Sequence, residues 1–542
     1  MRMRALAMTL LLALAPLVVR AQASATVALG DPAYDDVDVL IDQGLVSGIF
    51  VGQRPYARAT FARLARQAAL VLERPDGGAD IPAAARAATQ RLLVIFHDEL
   101  ADSTGDSPRY HLREVRLDAL LTGEPRRAVP SNGLGTQEAD LASLTDNRNG
   151  RRFVRGANVA LESAHTLELP FGASLSARPR VWATDERGTG ARSLSGELLA
   201  ASLRVVQRNV AVTVGREYTD WSTSTGDGLL FGSNAPALDM VRLASDVPFR
   251  LPAIMRGLGD VSATVQVADL GVSSSRSHSR LVSYKLSVRP TPTLELGASF
   301  DNHFGGSGAP KATALDRFID LVPLLDVFRH HVDSTSVESD KLLATDARLA
   351  IPSLGHITVF GQAAVEDVDF HRVRSILTED AAYTGGVIIP RLFAPTLSAR
   401  VEYHRAGIRF YAHHLLTNGI TSRRFILGDD LGHDADGVAG LVRFVSSNAL
   451  SVAFDAATET RRNDTYVGTY TLPGAQGFVF TRLAVLPSER RVRGGILTRW
   501  NMRGGDRLVE LRLSAVRMRN FGFEDRPSEL HGAASAAFAW YR

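Results

Sequence analysis

Beyond about Phe153, apolar and polar residues alternate position by position over stretch after stretch of the chain. A period of two puts successive side chains on opposite faces of an extended strand. Between Leu281 and Arg289, Val282, Tyr284, Leu286 and Val288 share one face, and Ser283, Lys285, Ser287 and Arg289 share the other. Pro290-Thr-Pro-Thr293 makes a turn, and the alternation resumes with Leu294, Leu296, Ala298 and Phe300 against Glu295, Ser299 and Asp301. Thr396 to Arg405 sets Leu397, Ala399, Val401 and Tyr403 against Ser398, Arg400, Glu402 and His404. Arg507 to Val516 sets Val509, Leu511, Leu513 and Ala515 against Glu510, Arg512 and Ser514. Roughly eighteen or nineteen such segments follow one another, many near the ~9–11 residues that a tilted membrane strand needs. Short turns such as Pro352-Ser-Leu-Gly355 alternate with long polar excursions at 216–238, 302–340 and 416–436. Outer-membrane barrels have that asymmetry, with short periplasmic turns and long outside loops.

The segment ahead of the strands has a helical period instead. Asp31 is placed to cap a helix with Pro32 at its first position; Val37, Leu40 and Ile41 recur at helical spacing, and Gly44 ends it. Thr60 to Leu72 puts Phe61, Leu64, Ala65 and Ala68 on one face, and a third helix is expected from Pro82 to about Leu100. Three short amphipathic helices bury little core alone, so they are expected to pack against something larger.

The first residues add an export signal. A basic Met1-Arg-Met-Arg4 precedes an apolar run from Ala5 to Val19, and Arg20-Ala-Gln-Ala23 offers small residues where a signal peptidase reads. The organisation expected is therefore a signal peptide at 1–23, a helical region on the periplasmic side at 24–105 and a barrel at 106–542. Arg2, Arg4 and Arg20 account for the whole formal charge of +3, and only Lys285, Lys311 and Lys341 among the 61 basic residues are lysines. No basic tail speaks for nucleic acid. The chain has no cysteine, which excludes a disulfide framework and a lipidated leader. Past the leader no apolar run approaches the ~20 residues of a membrane helix. Any crossing must be made by strands.

A soluble periplasmic β-protein would alternate too. Against it, Arg and Glu recur on the polar faces as they would in a wet barrel lumen. The last segment, His531 to Tyr541, also brings Phe538, Trp540 and Tyr541 close to the end, although Arg542 follows them. The fold class expected is an all-β membrane protein, an antiparallel outer-membrane β-barrel of about 18 strands with a small N-terminal α-helical bundle.

Particular residues narrow this further. Asp31-Pro-Ala-Tyr34, Gly44-Leu-Val46 and Gly52-Gln-Arg-Pro-Tyr-Ala-Arg58 resemble the opening of the capsule assembly Wzi family. Glu217, Trp221 and Gly228-Leu-Leu-Phe-Gly-Ser-Asn-Ala-Pro236 resemble that family's tryptophan-containing loop, with Ser222-Thr-Ser-Thr-Gly226 in place of its Gly-Pro-rich run. Phe304-Gly-Gly-Ser-Gly308, leading into Ala314 to Phe328, is similar to a family loop that holds a short helix. The resemblance implies an eighteen-stranded barrel and a lectin-like protein that binds surface polysaccharide and holds it on the cell.

Candidate ligand residues are Tyr218, Asp220 and Trp221, with Asn234 further along the same loop and Asn302 and His303 at the start of the 302–340 excursion. An aromatic face stacks on a pyranose, while carboxylates and amides bond its hydroxyls. The structural reading of Trp221, a plug or interfacial packing residue, is favoured over the ligand reading. Asn234 and Pro236 equally suit a capped turn. Arg289, Arg400 and Arg512 could meet an acidic polymer, or form a charge ladder with Glu295, Glu402 and Glu510. The ladder is the commoner arrangement. Asp430, Asp434 and Asp436 could offer oxygens to Ca²⁺ but lack the EF-hand order, and a solvated acidic loop is expected instead. His330-His331 and His413-His414 are expected to be solvated or lumen-lining, since neighbours on a strand face opposite ways. Gly305-Gly-Ser-Gly-Ala309 misses the nucleophile elbow at its last residue.

The function expected is non-enzymatic anchoring of a surface polysaccharide. No cofactor or metal is expected, and the partners are the polymer and outer-membrane lipid around a monomer. A porin or specific channel is the alternative, and an outer-membrane hydrolase a third. An open lumen would mark the channel; the 302–340 excursion is long enough to close one.

Overall fold

A computed structural model describes residues 24–74, 81–101, 107–125, 128–129, 139–140, 149–223, 228–322, 339–366, 376–411, 416, 418–446, 450–470 and 478–542. The expected leader, positions 224–227 of the tryptophan loop, His330-His331 and His413-His414 lie outside the described residues.

The spanning strands are β1 (Arg109–Thr122), β2 (Gly156–Leu169), β3 (Ala173–Glu186), β4 (Arg192–Gln207), β5 (Val210–Glu217) and β6 (Leu238–Ser245). They continue with β7 (Asp260–Asp269), β8 (Arg280–Thr291), β9 (Leu294–Phe304), β10 (Ser339–Ile351), β11 (Ile357–Glu366) and β12 (Ala381–Ile389). The last six are β13 (Leu397–Ala406), β14 (Ala435–Val445), β15 (Leu450–Arg461), β16 (Glu489–Met502), β17 (Arg507–Arg519) and β18 (Glu529–Tyr541). Each pairs antiparallel with its neighbours in chain order, and β1 pairs with both β2 and β18, which closes the ring. The two-residue Phe249–Arg250 segment adds a nineteenth hydrogen-bonded piece at the foot of β7 without spanning.

The sequence periodicity sorts the two faces as expected. Leu511 and Leu513 are 53% and 64% exposed on the outside, whereas the intervening Glu510 and Arg512 pair inside. Val401 and Tyr403 point out while Glu402 is buried. A smooth band of exposed Leu, Val, Ile and aromatic side chains is tolerable only against lipid, which excludes the soluble alternative. One end of the barrel carries tight turns such as Pro170–Gly172, Pro352–Leu354 and Arg503–Gly505, and the polypeptide enters β1 and leaves β18 at that same end. This is the periplasmic end.

The N-terminal helices are α1 (Pro32–Asp42), α2 (Arg58–Leu72), α3 (Ala83–Ile95) and the single turn α4 (His97–Leu100). Asp31 caps α1, its Oδ1 accepting from Ala33 N at 2.8 Å. Val37, Leu40, Phe61, Leu64 and Leu92 are wholly buried between them. The single helix expected from Pro82 to Leu100 is broken at Phe96. There Arg58 takes both the Ile95 carbonyl, at 3.0 Å, and the Glu99 carboxylate, at 2.5 Å, while its guanidinium lies 4.7 Å from the Phe96 ring.

These helices seat in the periplasmic mouth of the lumen. Arg348 of β10 holds Asp42, and Arg443 of β14 and Arg499 of β16 both hold Asp35. Glu295 of β9 accepts from the backbone N–H groups of Val51 and Gly52, Gln53 bonds Ser287 of β8, and Arg113 of β1 pairs with Asp98 and Glu99. The bonds run round most of the circumference, so the insert is tied to the wall on all sides.

A second layer fills part of the lumen toward the outside. The segments 218–237 and 407–431 share an apolar core of Trp221, Leu229, Phe231, Phe410, Tyr411, Ile420, Phe425 and Leu427. The wall facing them turns apolar to match, with Met240, Ala268, Leu281, Leu342, Ala344, Ala364 and Ala382 inward. The segments touch closely: Gly232 N donates to Leu427 O at 2.8 Å, and a Cβ on Gly428 would lie 2.2 Å from Leu229 O.

The 302–340 excursion was expected to close the lumen, and its described part does not. Helix α5 (Ala314–Leu321) lies against the outer wall, where Tyr284, on the lipid-facing row of β8, donates its hydroxyl to Leu321 O at 2.8 Å. Its strong amphipathicity suits that surface better than a wet lumen.

Candidate functional site

Between the helical insert and the outer plug a cavity of about 420 Å³ remains on the side of β1–β3 and β13–β18. Its wall is a charge ladder. Arg116 and Arg499 each lie 2.6 Å from Glu510, Arg512 pairs with Asp455 at 2.7 Å, Arg178 with Glu114 at 2.7 Å, and Arg151 with Glu162 at 2.6 Å. Arg400 reaches Glu402 at 3.4 Å on the same wall, and away from this cavity Arg289 of β8 reaches Glu295 of β9 at 3.2 Å. The ladder expected from the sequence is therefore present with one change: Arg512 pairs across strands with Asp455, and Glu510 belongs to Arg116 and Arg499.

The six candidate ligand residues divide. Tyr218 and Asp220 border this cavity. Asp220 also joins the two plugs, because Arg54 N donates to Asp220 O at 2.9 Å and Asp220 N to Arg54 O at 3.1 Å. Trp221, 3% exposed, is packed edge-on against Phe231 at 4.7 Å between ring centroids. Its carbonyl accepts from Gln362 Nε2 at 2.6 Å, so the loop tryptophan is a keystone of the outer plug. Asn234 is wholly buried, donating from Nδ2 to Ile426 O at 2.8 Å, which makes it a brace between the two plug segments. Asn302 and His303 are also wholly buried, with His303 Nε2 2.8 Å from Ser279 Oγ. These four are not brought to the cavity with Tyr218 and Asp220.

The acidic loop is not a cage. His404 of β13 binds Asp429, Arg462 takes Asp436 at 2.5 Å, and burial pushes the Asp434 carboxyl up to about 6. Among the described residues no three His, Asp or Glu side chains converge as a metal site would require.

Among the aromatic residues that line the cavity is Trp182, on β3 toward the outer end. It follows from the strand period: Arg178, Arg180 and Trp182 share the inward face while Val181 and Ala183 face out. The guanidinium of Arg180 sits 5.0 Å from the Trp182 ring and its Nη1 lies 3.3 Å from Glu197. Phe153, Arg152 and Asn158 line the same mouth. Sequence reasoning passed over Trp182 because a tryptophan inside a regular strand resembles a lipid-belt residue until the inward row is fixed. Its neighbours Arg178 and Arg180 were the available signal. An aromatic face beside guanidinium, carboxylate and amide groups can stack on a pyranose and bond its hydroxyls.

The profile of the capsule assembly protein Wzi family matches residues 127–529. Among solved structures, the fold is similar to Wzi of Escherichia coli, described as an outer-membrane carbohydrate-binding β-barrel involved in group 1 capsule assembly. Identity there is 15%, the match covers 96% of this chain and 100% of that one, and the TM-score is 0.63. OprD of Pseudomonas aeruginosa is 7% identical over 81% of this chain and 95% of its own, with a TM-score of 0.43. OpdQ of the same organism is 8% identical over 79% and 97%, with a TM-score of 0.41. No curated protein sequence matches.

Proposed function

This chain belongs to the capsule assembly protein Wzi family, an outer-membrane barrel, and on that premise we propose that it is a non-enzymatic attachment protein for surface polysaccharide. It binds the polymer at the outer mouth of the barrel and acts as a monomer in the lipid of the outer membrane. The observation that carries this reading is the double filling of the lumen, by the helical insert from below and by the Trp221 plug from above. A channel spends no such apolar core on its own interior. A binder gains from it, because a rigid plug pre-organises the surface it presents.

Trp182 supplies the stacking face, and Tyr218 and Asp220, which border the same cavity, supply hydroxyl partners. Each single contact is weak. A repeating polymer meets many copies of the protein on one cell, so avidity rather than site affinity retains it. The description of the Escherichia coli relative as carbohydrate binding supports the same ligand class.

Detergent-purified full-length protein, tested against the producing cell's purified surface polysaccharide and separately in planar bilayers, distinguishes binder from channel. Polymer binding without ion conductance is expected. Steady conductance without polymer binding would establish the channel instead.

A further inference from the structure

On the other side of the lumen, between the helical insert and β4–β7, lies a second, smaller cavity of about 100 Å³. Val247 and Pro248, which follow β6 at the periplasmic end, border it, and it runs inward as far as Trp221 of the outer plug. Four guanidinium groups line it: Arg63 from α2, Arg54 from the segment ahead of α2, Arg204 from β4 and Arg242 from β6. Among the described residues, Asp246 is the one carboxylate on its wall.

Donors outnumber acceptors here. Arg54 is matched by Asp38 at 2.6 Å, and Arg204 by Asp246. Arg63 and Arg242 form no ion pair among the described residues. Arg63 is exposed and donates to the carbonyls of Ser47, at 3.5 Å, and Gly48, at 2.8 Å. Arg242 is 8% exposed; its Nε donates to Gln266 Oε1 at 3.2 Å, and its Nη2 to Tyr218 O and Thr219 Oγ1, both at 2.5 Å. All three acceptors are neutral, and Nη1 donates to none among the described residues. Two further buried donors, Nε of Arg54 and Nε2 of Gln266, have no acceptor among the described residues. Glu217, at the end of β5, turns its oxygens elsewhere, to Tyr218 N, Thr26 Oγ1 and Ser202 Oγ. A buried guanidinium facing only neutral acceptors is poorly compensated, and an oxyanion is the group that compensates it.

The donors also arrive from different directions, one from a helix and two from separate strands. A planar carboxylate offers its two oxygens to one fork, whereas a tetrahedral oxyanion offers oxygens to several. Thr60 of α2 and Thr213 of β5 border the same space, where their hydroxyls can donate to the remaining oxygens.

We propose that this cavity binds phosphate, as the free ion or as the phosphate end of a small ester, through Arg63, Arg204 and Arg242. Arg63 belongs to the insert and the other two to the wall, so the bound ion ties α2 to the barrel from the periplasmic side. The site lies apart from the Trp182 mouth and does not depend on the attachment reading.

The test is calorimetric titration of the full-length protein in detergent and phosphate-free buffer, with sodium phosphate, glycerol 3-phosphate and acetate at matched ionic strength. Saturable phosphate binding is expected, with acetate about tenfold weaker or more. R242Q and R63Q should each weaken phosphate about tenfold. R192Q, which alters an exposed arginine at the outer end of β4, should not weaken it. R242Q also removes the braces on Tyr218 and Thr219, so R63Q decides: wild-type phosphate affinity in that variant overturns the proposal. So does the absence of saturable phosphate binding, or acetate binding as tightly as phosphate. Glycerol 3-phosphate binding as well as the free ion upholds the site and gives it an ester's phosphate as ligand. Phosphate binding with glycerol 3-phosphate excluded upholds it for the free ion.

Discussion

The guanidinium of Arg348, on the inner wall of β10, lies 2.5 Å from the carboxylate of Asp42, at the last residue of α1. Some 306 residues separate the two in sequence, and their pairing pins the end of the first helix to the barrel. Asp35, two turns earlier on the same helix face, is pinned by Arg443 and Arg499. Removing one partner of a buried pair leaves the other charge stranded, at about 3–5 kcal/mol. The pairs here retain some water, so a combined loss nearer about 2–4 kcal/mol is expected for Asp35→Ala with Asp42→Ala. The chain lacks cysteine, so Leu64→Cys gives a single buried reporter. In the double variant its labelling should rise several-fold while the barrel keeps its heat resistance. Unchanged labelling would show that the insert does not depend on these anchors.

Acid should loosen the same docking. Asp35 is held below the ordinary carboxylate range by Arg443 and Arg499, against the effect of burial, and Glu99 by Arg58 and Arg113. A depressed acid contributes stability that is present above its unfolded value and is lost as pH falls through the folded one. Asp31 and Asp42 have the opposite sign. Burial pushes each up to about 6, with the charge of Glu114 adding to it at Asp31, so their contributions are present below 3.8 and lost as pH rises through about 6. Protection of the Leu64→Cys thiol, read with a disulfide reagent active in acid, should peak near pH 5 and collapse below about 4. Glu99→Gln should blunt the acid limb. A profile flat from pH 3 to 7 would contradict the assignment.

The two tryptophans should separate in their effects. Trp221→Ala leaves a void between Phe231 and the wall and should cost about 3–5 kcal/mol of local stability. Trp182→Ala removes a half-exposed ring and should leave the melting profile nearly unchanged while weakening polysaccharide binding several-fold. Protease sensitivity of the 218–237 loop and a binding isotherm, measured on both variants, read the two effects apart. Normal binding by Trp182→Ala, with binding lost only through unfolding in Trp221→Ala, would move the site away from the cavity mouth.

Helix α5 should lie in lipid headgroups. Leu315 and Phe318, three residues apart on one face, are 63% and 60% exposed beside the lipid-facing Tyr284. In Phe318→Trp protein reconstituted into vesicles, indole emission should shift to the blue and be quenched by brominated lipid. Emission typical of water, unquenched, would place the helix above the membrane.

Much of the fold was legible because a strand's period is local. The faces of 281–289, 396–405 and 507–516 could be read residue by residue, and the lipid face needs nothing but exposed Leu and Val to confirm it. The cap at Asp31 was equally local. What escaped was set by contacts distant in sequence. The break at Phe96 depends on Arg58, the Asp455 partner of Arg512 on strand pairing, and the burial of Trp221 on a loop some 200 residues away. Trp182 stood in plain view, yet its role depends on which side of the wall it faces, and the pairing of β3 with its neighbours decides that.

The most direct measurement is the partition of surface polysaccharide between cells and medium, with and without this protein, in a strain carrying either the wild-type or the Trp182→Ala chain. Attachment at the cavity mouth requires that loss of the protein move polymer into the medium, that wild type restore it to the cells, and that Trp182→Ala restore it only in part. If polymer stays on the cells without the protein, and uptake of small solutes falls instead, the barrel is a channel and the attachment account is wrong.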